Sequence, residues 1–225
     1  MRIACLGLGR MGWHMAGHLA NLGEDYNIVV FDVVEALGDQ WAAEFPGTTV
    51  DSVASAVADA QFIITSLPSD KELATVVKEA LVAVGQEAIW IDHSTTSAKI
   101  ALETGIEVSA VGGHFLDGPV SGGVDGARRG TLSVMVGGDQ NAFVQAEPLI
   151  GTYASRVRHM GPSGAGQLTK MTNQICVVGL CQALAEGLDF ASRAGLDVEK
   201  VVEAMLQGSS TSWQMENRAD KMLSG

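Results

Sequence analysis

The chain has 225 residues, of which 47% are hydrophobic and 18% charged, with 27 glycines and 5 prolines. At about 100–200 residues per domain this is one domain, or one and part of another. It is long enough to bury a core unaided, and its composition excludes a disordered or low-complexity protein. The 14 Lys/Arg against 26 Asp/Glu leave a formal charge of −12, which disfavours nucleic acid as a general partner.

Ile3 to Leu6 is expected to be a strand, followed by a helix from Met11 to Leu22 that puts Met11, Met15, Ala16 and Leu19 on one face. Asn27 to Phe31 is a second strand, Glu35 to Phe45 a helix, and Thr48 to Val50 a short strand. Phe62 to Leu67 is a strand stopped by Pro68, and Asp70 to Val84 a helix closed by Gly85. Ala88 to Ile91, Phe115 to Asp117 and Leu132 to Val136 are further strands. Strands apolar on both faces, alternating with helices, predict a parallel sheet covered on both sides.

After Gly166 the strand signal ends. Gln167 to Ala194 is apolar almost all round, through Leu168, Met171, Ile175, Val178, Leu180, Leu184 and Leu188, which predicts a long buried helix. Gly195 stops it, and Asp197 is placed to cap a helix over Val198 to Leu206. A boundary in the Gly161 to Gly166 stretch gives two domains, 1–162 and 163–225, with a long interdomain helix over about 164–194. Cys5, Cys176 and Cys181 make an odd count without disulfide spacing, and the two on the helix are expected to pack inside as small hydrophobes. The most apolar helical stretch, Ile175 to Leu184, is short for a membrane span and carries Gln182. The expectation is a cytoplasmic protein with no membrane partner. His14 and His18 stand four residues apart but lack a third ligand, so no metal is expected. Trp213 and Met215 are candidates for an interface.

Gly7-Leu8-Gly9-Arg10-Met11-Gly12 is G-x-G-x-x-G between a predicted strand and a predicted helix, and a second strand ends in Asp32, 20 residues after Gly12. That is the dinucleotide fingerprint in its full setting. Gly7 permits the tight turn, Gly9 leaves room for a pyrophosphate, and Gly12 lets helix and strand pack closely. The helix N-terminus offers N–H groups to the phosphates. The Asp32 carboxylate suits the two ribose hydroxyls of NAD and repels the 2′-phosphate of NADP, and no Arg follows at 33 or 34. The cofactor expected is NAD.

Asp117-Gly118-Pro119-Val120-Ser121-Gly122-Gly123 ends another strand, where ligands of such sheets bind. The Ser121 hydroxyl and the Gly122 and Gly123 backbone suit a carboxylate or phosphate; an ordinary Pro-Gly loop reads equally well. Lys170 opens the long apolar helix, with Asn173 on the same face. Such a lysine is either a snorkelling side chain or a desolvated ammonium able to exchange a proton with an alcohol.

Three segments together resemble the β-hydroxyacid dehydrogenases, the family of 3-hydroxyisobutyrate dehydrogenase and tartronate semialdehyde reductase. They are Gly7 to Ala16; Asp117 to Gly123 continued by Gly126-Ala127 and Gly130-Thr131-Leu132; and Gly161-Pro162-Ser163-Gly164-Ala165-Gly166 with Lys170 and Asn173. The resemblance implies a Rossmann-type doubly wound α/β domain, followed by a long helix leading into an all-α C-terminal domain that is incomplete here. It implies Lys170 as the catalytic lysine, Ser121, Gly122 and Gly123 as the substrate-carboxylate loop, and Asn173 as a substrate ligand. Gln174 stands where the family often has a second asparagine. It places Thr95 near the nicotinamide, Leu67-Pro68 beside the adenosine and ribose, and Leu8, Arg10 and Met11 in the cofactor loop. The reaction implied is NAD-dependent oxidation of a small β-hydroxy acid to its semialdehyde or oxo acid, with lysine as general acid and base, in a homo-dimer or homo-tetramer. Two alternatives are a non-catalytic dinucleotide-sensing module and an imine reductase on the same scaffold. Lys170, Ser121 and Asn173 speak against the first, and Lys170 against the second.

Overall fold

The structure is a computed structural model describing Met1–Ser224. It divides into two compact units, Met1–Lys170 and Met171–Gly225. The first holds β1 (Arg2–Leu6), α1 (Gly12–Ala20), β2 (Asn27–Phe31), α2 (Glu35–Glu44), β3 (Thr48–Thr49), α3 (Val53–Val57), β4 (Phe62–Thr65), α4 (Asp70–Ala80) and β5 (Ile89–Asp92). It continues with α5 (Ala98–Ala110), β6 (His114–Asp117), β7 (Val120–Ser121), α6 (Gly123–Arg129), β8 (Leu132–Gly138), α7 (Gln140–Ile150) and β9 (Ala154–Gly161).

The sheet runs β3-β2-β1-β4-β5-β6-β8-β7, with β9 on β8. β1 to β6 are parallel, while β8 is antiparallel to β6 and β7 and parallel to β9. The chain leaves β1 toward one edge and returns past it toward the other, which is the doubly wound arrangement expected from the sequence. Because successive strand side chains face opposite ways, each strand feeds two cores. Ile3, Cys5, Ile28, Val30, Phe62, Ile64, Ile89, Ile91 and Leu116 pack on one face with Met15 and Leu19 of α1 and Trp41 of α2. Ala4, Leu6, Val29, Ile63, Trp90 and Phe115 pack on the other with Leu73 and Val77 of α4 and Val108 of α5.

Four of the helices start on short polar caps: Ser52, Ser69, Ser97 and Asp139 each accept a backbone N–H from the first turn of α3, α4, α5 and α7. α4 is shorter than its apolar spacing predicts. The last residues turn tightly, with the Val84 and Ala83 N–H groups both on the Ala80 carbonyl. α3, α5, β7, α6, α7 and β9 were not among the predicted elements. Thr, Glu and Gly interrupt the apolar spacing of α5, Pro148 lies inside α7, and β9 (ASRVRHMG) has charged residues on its exposed positions.

α8 (Ala165–Arg193) begins in the first unit and runs through the second, which also holds α9 (Val198–Met205) and α10 (Trp213–Ser224). Asp197 caps α9 as expected, accepting the Lys200 N–H. Leu184 and Leu188 of α8 pack with Val202 of α9 and Met215 and Ala219 of α10. The expectation of a helix buried all round is corrected here. Leu168, Ile175 (74%), Val178, Leu180 and Phe190 (72%) are exposed, because two short helices cover one stripe of a helix that is apolar on all sides. Cys176 is likewise exposed and Cys181 half-buried, contrary to the packed positions expected; Cys5 is buried in the sheet. By length and composition alone, α8 is also apolar enough to cross a membrane. Met215 lies in the core of this unit and Trp213 on its surface, with the Arg218 guanidinium 5.7 Å above its ring.

Candidate functional site

The parallel register lines up strand ends in one row, Phe31 beside Leu6, Leu6 beside Thr65, Thr65 beside Asp92, and Asp92 beside Asp117. Ligands of open α/β sheets bind beyond this edge. The loops that leave it carry most of the sequence-predicted site residues.

At β1 the loop turns at Gly7, whose φ of +92° suits glycine, and the Gly7 N–H bonds the Phe31 carbonyl at 2.9 Å. A Cβ on Gly12 would collide with the Gly7 carbonyl oxygen, so loop and helix pack backbone to backbone. A Cβ on Gly9 would meet nothing within 4 Å, so open space lies above the loop. No side chain caps α1 at Met11; within its first turn the Trp13 N–H bonds the Gly9 carbonyl at 3.0 Å and the His14 N–H the Met11 carbonyl at 3.2 Å, so an anion at this end meets the positive end of the helix dipole. Leu8 is buried and Arg10 exposed.

Asp32 follows β2. Its Oδ2 accepts the Leu8 N–H at 2.7 Å and its Oδ1 the Val34 N–H at 2.9 Å, so the glycine loop fixes the carboxylate's direction. The adjoining cavity is lined by Asp32, Glu35, Asp39, Thr49, Asp51 and Ser55, with four carboxylates and, among the described residues, no cation. These groups fit a cofactor ribose that presents hydroxyls.

Beyond β4 and β5 the loops are tied together. The Leu67 N–H donates to Ser94 Oγ at 2.9 Å, and Ser94 Oγ donates to Asp92 Oδ1 at 2.5 Å. Thr65 Oγ1 donates to the same Asp92 oxygen at 2.7 Å and accepts from Trp90 Nε1 at 3.1 Å. Leu67 also lies against Gly7, and Pro68 follows it. Asp92 is fully buried, and burial pushes its carboxyl up to about 6, against the lowering by its hydrogen bonds. Thr95 is exposed at the mouth of this loop. His93, buried beside it, lies 2.5 Å through Nδ1 from the Gly118 carbonyl and 2.8 Å through Nε2 from the Tyr153 hydroxyl.

Asp117, at the end of β6, is the joint between sheet and helix. Its Oδ1 accepts the Gly164 N–H at 2.7 Å and its Oδ2 the Gln167 N–H at 2.9 Å. It thus caps α8; burial raises its carboxyl while these bonds lower it. Gln167, fully buried in the first turn of α8, clamps the Thr95 loop from both sides. Its Oε1 accepts the Thr96 N–H at 3.1 Å and its Nε2 donates to the Ser94 carbonyl at 2.8 Å. Lys170, three residues on, is therefore carried by a turn bonded to both the Asp92 and Asp117 strand ends. It is half-buried and pairs with no carboxylate among the described residues. Burial holds its ammonium below the ordinary lysine pKa.

Ser121 pairs with Ser133 across β7 and β8 and is half-buried. Gly122 and Gly123 follow at φ of +127° and +62°, both exposed, and open α6 without a side-chain cap. Asn173 falls in the second unit, three residues beyond Lys170 on α8, and its Nδ2 donates to Gln174 Oε1 at 3.1 Å. His18 Nε2 lies 2.9 Å from the Ala127 carbonyl, and Arg128 pairs with Asp125 at 2.8 Å. Asp92, Asp117 and Gln167 are the groups the sequence reading missed. The signal present was two acids, each closing an otherwise apolar strand, and one amide in the first turn of an apolar helix.

The comparisons agree with this architecture. Residues 2–161 match the NAD binding domain of 6-phosphogluconate dehydrogenase, and residues 164–225 the domain described as NAD-binding of NADP-dependent 3-hydroxyisobutyrate dehydrogenase. An uncharacterized oxidoreductase of Shewanella frigidimarina is 43% identical over 100% of this chain and 77% of its own length. The 3-hydroxyisobutyrate dehydrogenase of Pseudomonas aeruginosa is 34% identical over 95% and 72%. A solved 3-hydroxyisobutyrate dehydrogenase of Mycobacterium tuberculosis, described with L-serine, superposes with a TM-score of 0.90 at 32% identity over 96% of this chain and 73% of that one. Fold and site thus define an oxidoreductase with a Rossmann-type NAD(P)-binding domain. The chain belongs to the β-hydroxyacid dehydrogenase family, NAD(P)-dependent enzymes of the 3-hydroxyisobutyrate dehydrogenase type.

Proposed function

We propose that this protein oxidises a small β-hydroxy acid to its semialdehyde or oxo acid, reversibly, with NAD as the acceptor. Ser121, Gly122 and Gly123 anchor the substrate carboxylate: one hydroxyl and two unhindered backbone units at the start of α6 suit an anion. Asn173 binds the substrate from α8. Lys170 accepts the alcohol proton during oxidation, and in the reverse direction donates it and stabilises the oxygen's developing charge. Bound NAD supplies the hydride acceptor at nicotinamide C4. The glycine loop Gly7–Gly12, Leu67-Pro68 and Thr95 line its path. L-serine, the compound described with the M. tuberculosis dehydrogenase, is itself a carboxylate with a hydroxyl on its β-carbon. The observation that carries the reading is Lys170, an ammonium partly withdrawn from water and unpaired among the described residues, on a helix turn bonded to two adjacent strand ends.

NAD over NADP is supported by Asp32 and by Glu35, Asp39 and Asp51 around it, since a 2′-phosphate there would face four carboxylates. The acidic charge supports a protein without nucleic-acid partners. The exposed apolar residues of α8 support a homo-dimer or homo-tetramer. We take the protein as cytoplasmic and without a membrane partner, α8 being an interdomain helix whose Leu184 and Leu188 serve a protein core. The test is NADH formation from 3-hydroxyisobutyrate, 3-hydroxypropionate and related acids, with semialdehydes for the reverse direction and NADP run in parallel. Turnover of none of them, with NAD still bound, would overturn the reading.

A further inference from the structure

We propose that His93 is a positioning residue for the substrate-carboxylate loop, holding the Gly118 carbonyl so that Ser121, Gly122 and Gly123 stand in their anion-receiving arrangement. The inference rests on the proposed role of that loop. Gly118 precedes Pro119, so the amide joining them has no N–H, and its carbonyl is the only hydrogen-bonding handle on that peptide plane. His93 takes this handle. A carbonyl only accepts, so Nδ1 carries the proton and donates at 2.5 Å. Nε2 is then the acceptor, and the Tyr153 hydroxyl donates to it at 2.8 Å. The result is a directed chain, Tyr153 O–H to His93 to the Gly118 carbonyl, in which every group is neutral.

The chain is rigid at its far end. Tyr153 is fully buried, its ring meets the imidazole edge-on with centroids 5.4 Å apart, and its carbonyl accepts the Leu132 N–H at the start of β8. The imidazole also packs on Gly118, where a Cβ would lie 3.4 Å from Nδ1. The Gly118 N–H meanwhile donates to the Asp92 carbonyl at 2.7 Å, so both faces of this residue are held by the β5 end. His93 stands two residues before Thr95, and Gly118 three before Ser121. One imidazole therefore couples the loop proposed for the nicotinamide to the loop proposed for the substrate.

Two near-isosteric variants separate this role from a merely structural one. In His93→Asn the amide nitrogen falls near the place of Nδ1 and keeps the Gly118 bond. In His93→Gln the amide falls near Nε2 and loses it. On the full chain with saturating NAD and varied 3-hydroxyisobutyrate, His93→Gln is expected to raise the KM for the acid about tenfold with kcat and NAD affinity little changed, and His93→Asn to restore KM to near wild type. Tyr153→Phe frees the tautomer and is expected to raise KM about two- to threefold, so it carries the test if His93→Gln does not fold. A readout free of turnover is NMR. The Nδ1–H tautomer of His93 and displaced Gly122 and Gly123 amide signals in His93→Gln, but not in His93→Asn, are expected even if the acid is not a substrate. An Nε2–H tautomer would overturn the proposal. So would equal KM in both variants, or a matching loss of NAD affinity.

Discussion

The two compact units handle apolar residues in opposite ways. In Met1–Lys170 most residues of the parallel strands β1, β2, β4, β5 and β6 find a helix on their own side of the sheet, so their two faces become two closed cores. In Met171–Gly225 the helix is equally apolar, yet α9 and α10 cover only the stripe through Leu184 and Leu188. An apolar pattern states that a surface seeks cover; it does not state that the same chain supplies it. The comparison also has a chemical side, because the groups assigned to cofactor, substrate and proton transfer, apart from Asn173, fall within the first unit.

The sharpest break of that comparison is at Lys170. Lys170→Ala is expected to lower kcat by about 10²–10⁴ while leaving NAD affinity unchanged, as checked by steady-state NADH absorbance and calorimetric titration. Wild-type turnover would remove the lysine from the chemistry. Next is core truncation. Leu73→Ala, at a fully buried position, is expected to destabilise by about 2–5 kcal/mol in urea unfolding. Ile175→Ala on exposed α8 is expected to change stability by no more than about 0.5 kcal/mol in a monomer, and by more once a second copy covers it. Gln167→Leu strands the Thr96 N–H and the Ser94 carbonyl in a buried place, at about 1–3 kcal/mol for each group, read as a lower Tm.

The smallest effect is in the pH profile. Asp92 is raised to about 6 in the folded chain, so between about 4 and 6 the native state holds the extra proton, and stability falls as pH rises. His93 is lowered to about 4 by burial, so between about 4 and 6.5 the unfolded state holds more protons, and stability rises with pH. The two slopes oppose each other. Relative to wild type, Asp92→Asn should tilt the stability curve upward across this window and His93→Asn downward. Parallel curves for all three proteins would refute the assignment.

Much of the first unit was legible. Asp32 could be placed because a glycine loop, a helix and a strand of fixed lengths leave its carboxylate one place to stand, where Leu8 and Val34 now hold it. The capping role of Asp197 could also be read locally. Gln167 and Asp117 could not, because their partners lie 47 or more residues away and only the closed sheet brings them together. Nor could the role of His93 be read, for the same reason: its partners, Gly118 and Tyr153, are 25 and 60 residues distant. The exposure of α8 was illegible in a different sense, since what covers it is not encoded in the periodicity of its own residues.

The distribution of thiols has a practical consequence. Cys5 is sealed in the sheet, where burial pushes it up to about 12, while Cys176 is open to solvent and Cys181 partly so. A maleimide dye added to the native protein should therefore decorate the long helix and spare the nucleotide-binding half. That gives, without any engineered cysteine, a fluorescent reporter confined to α8.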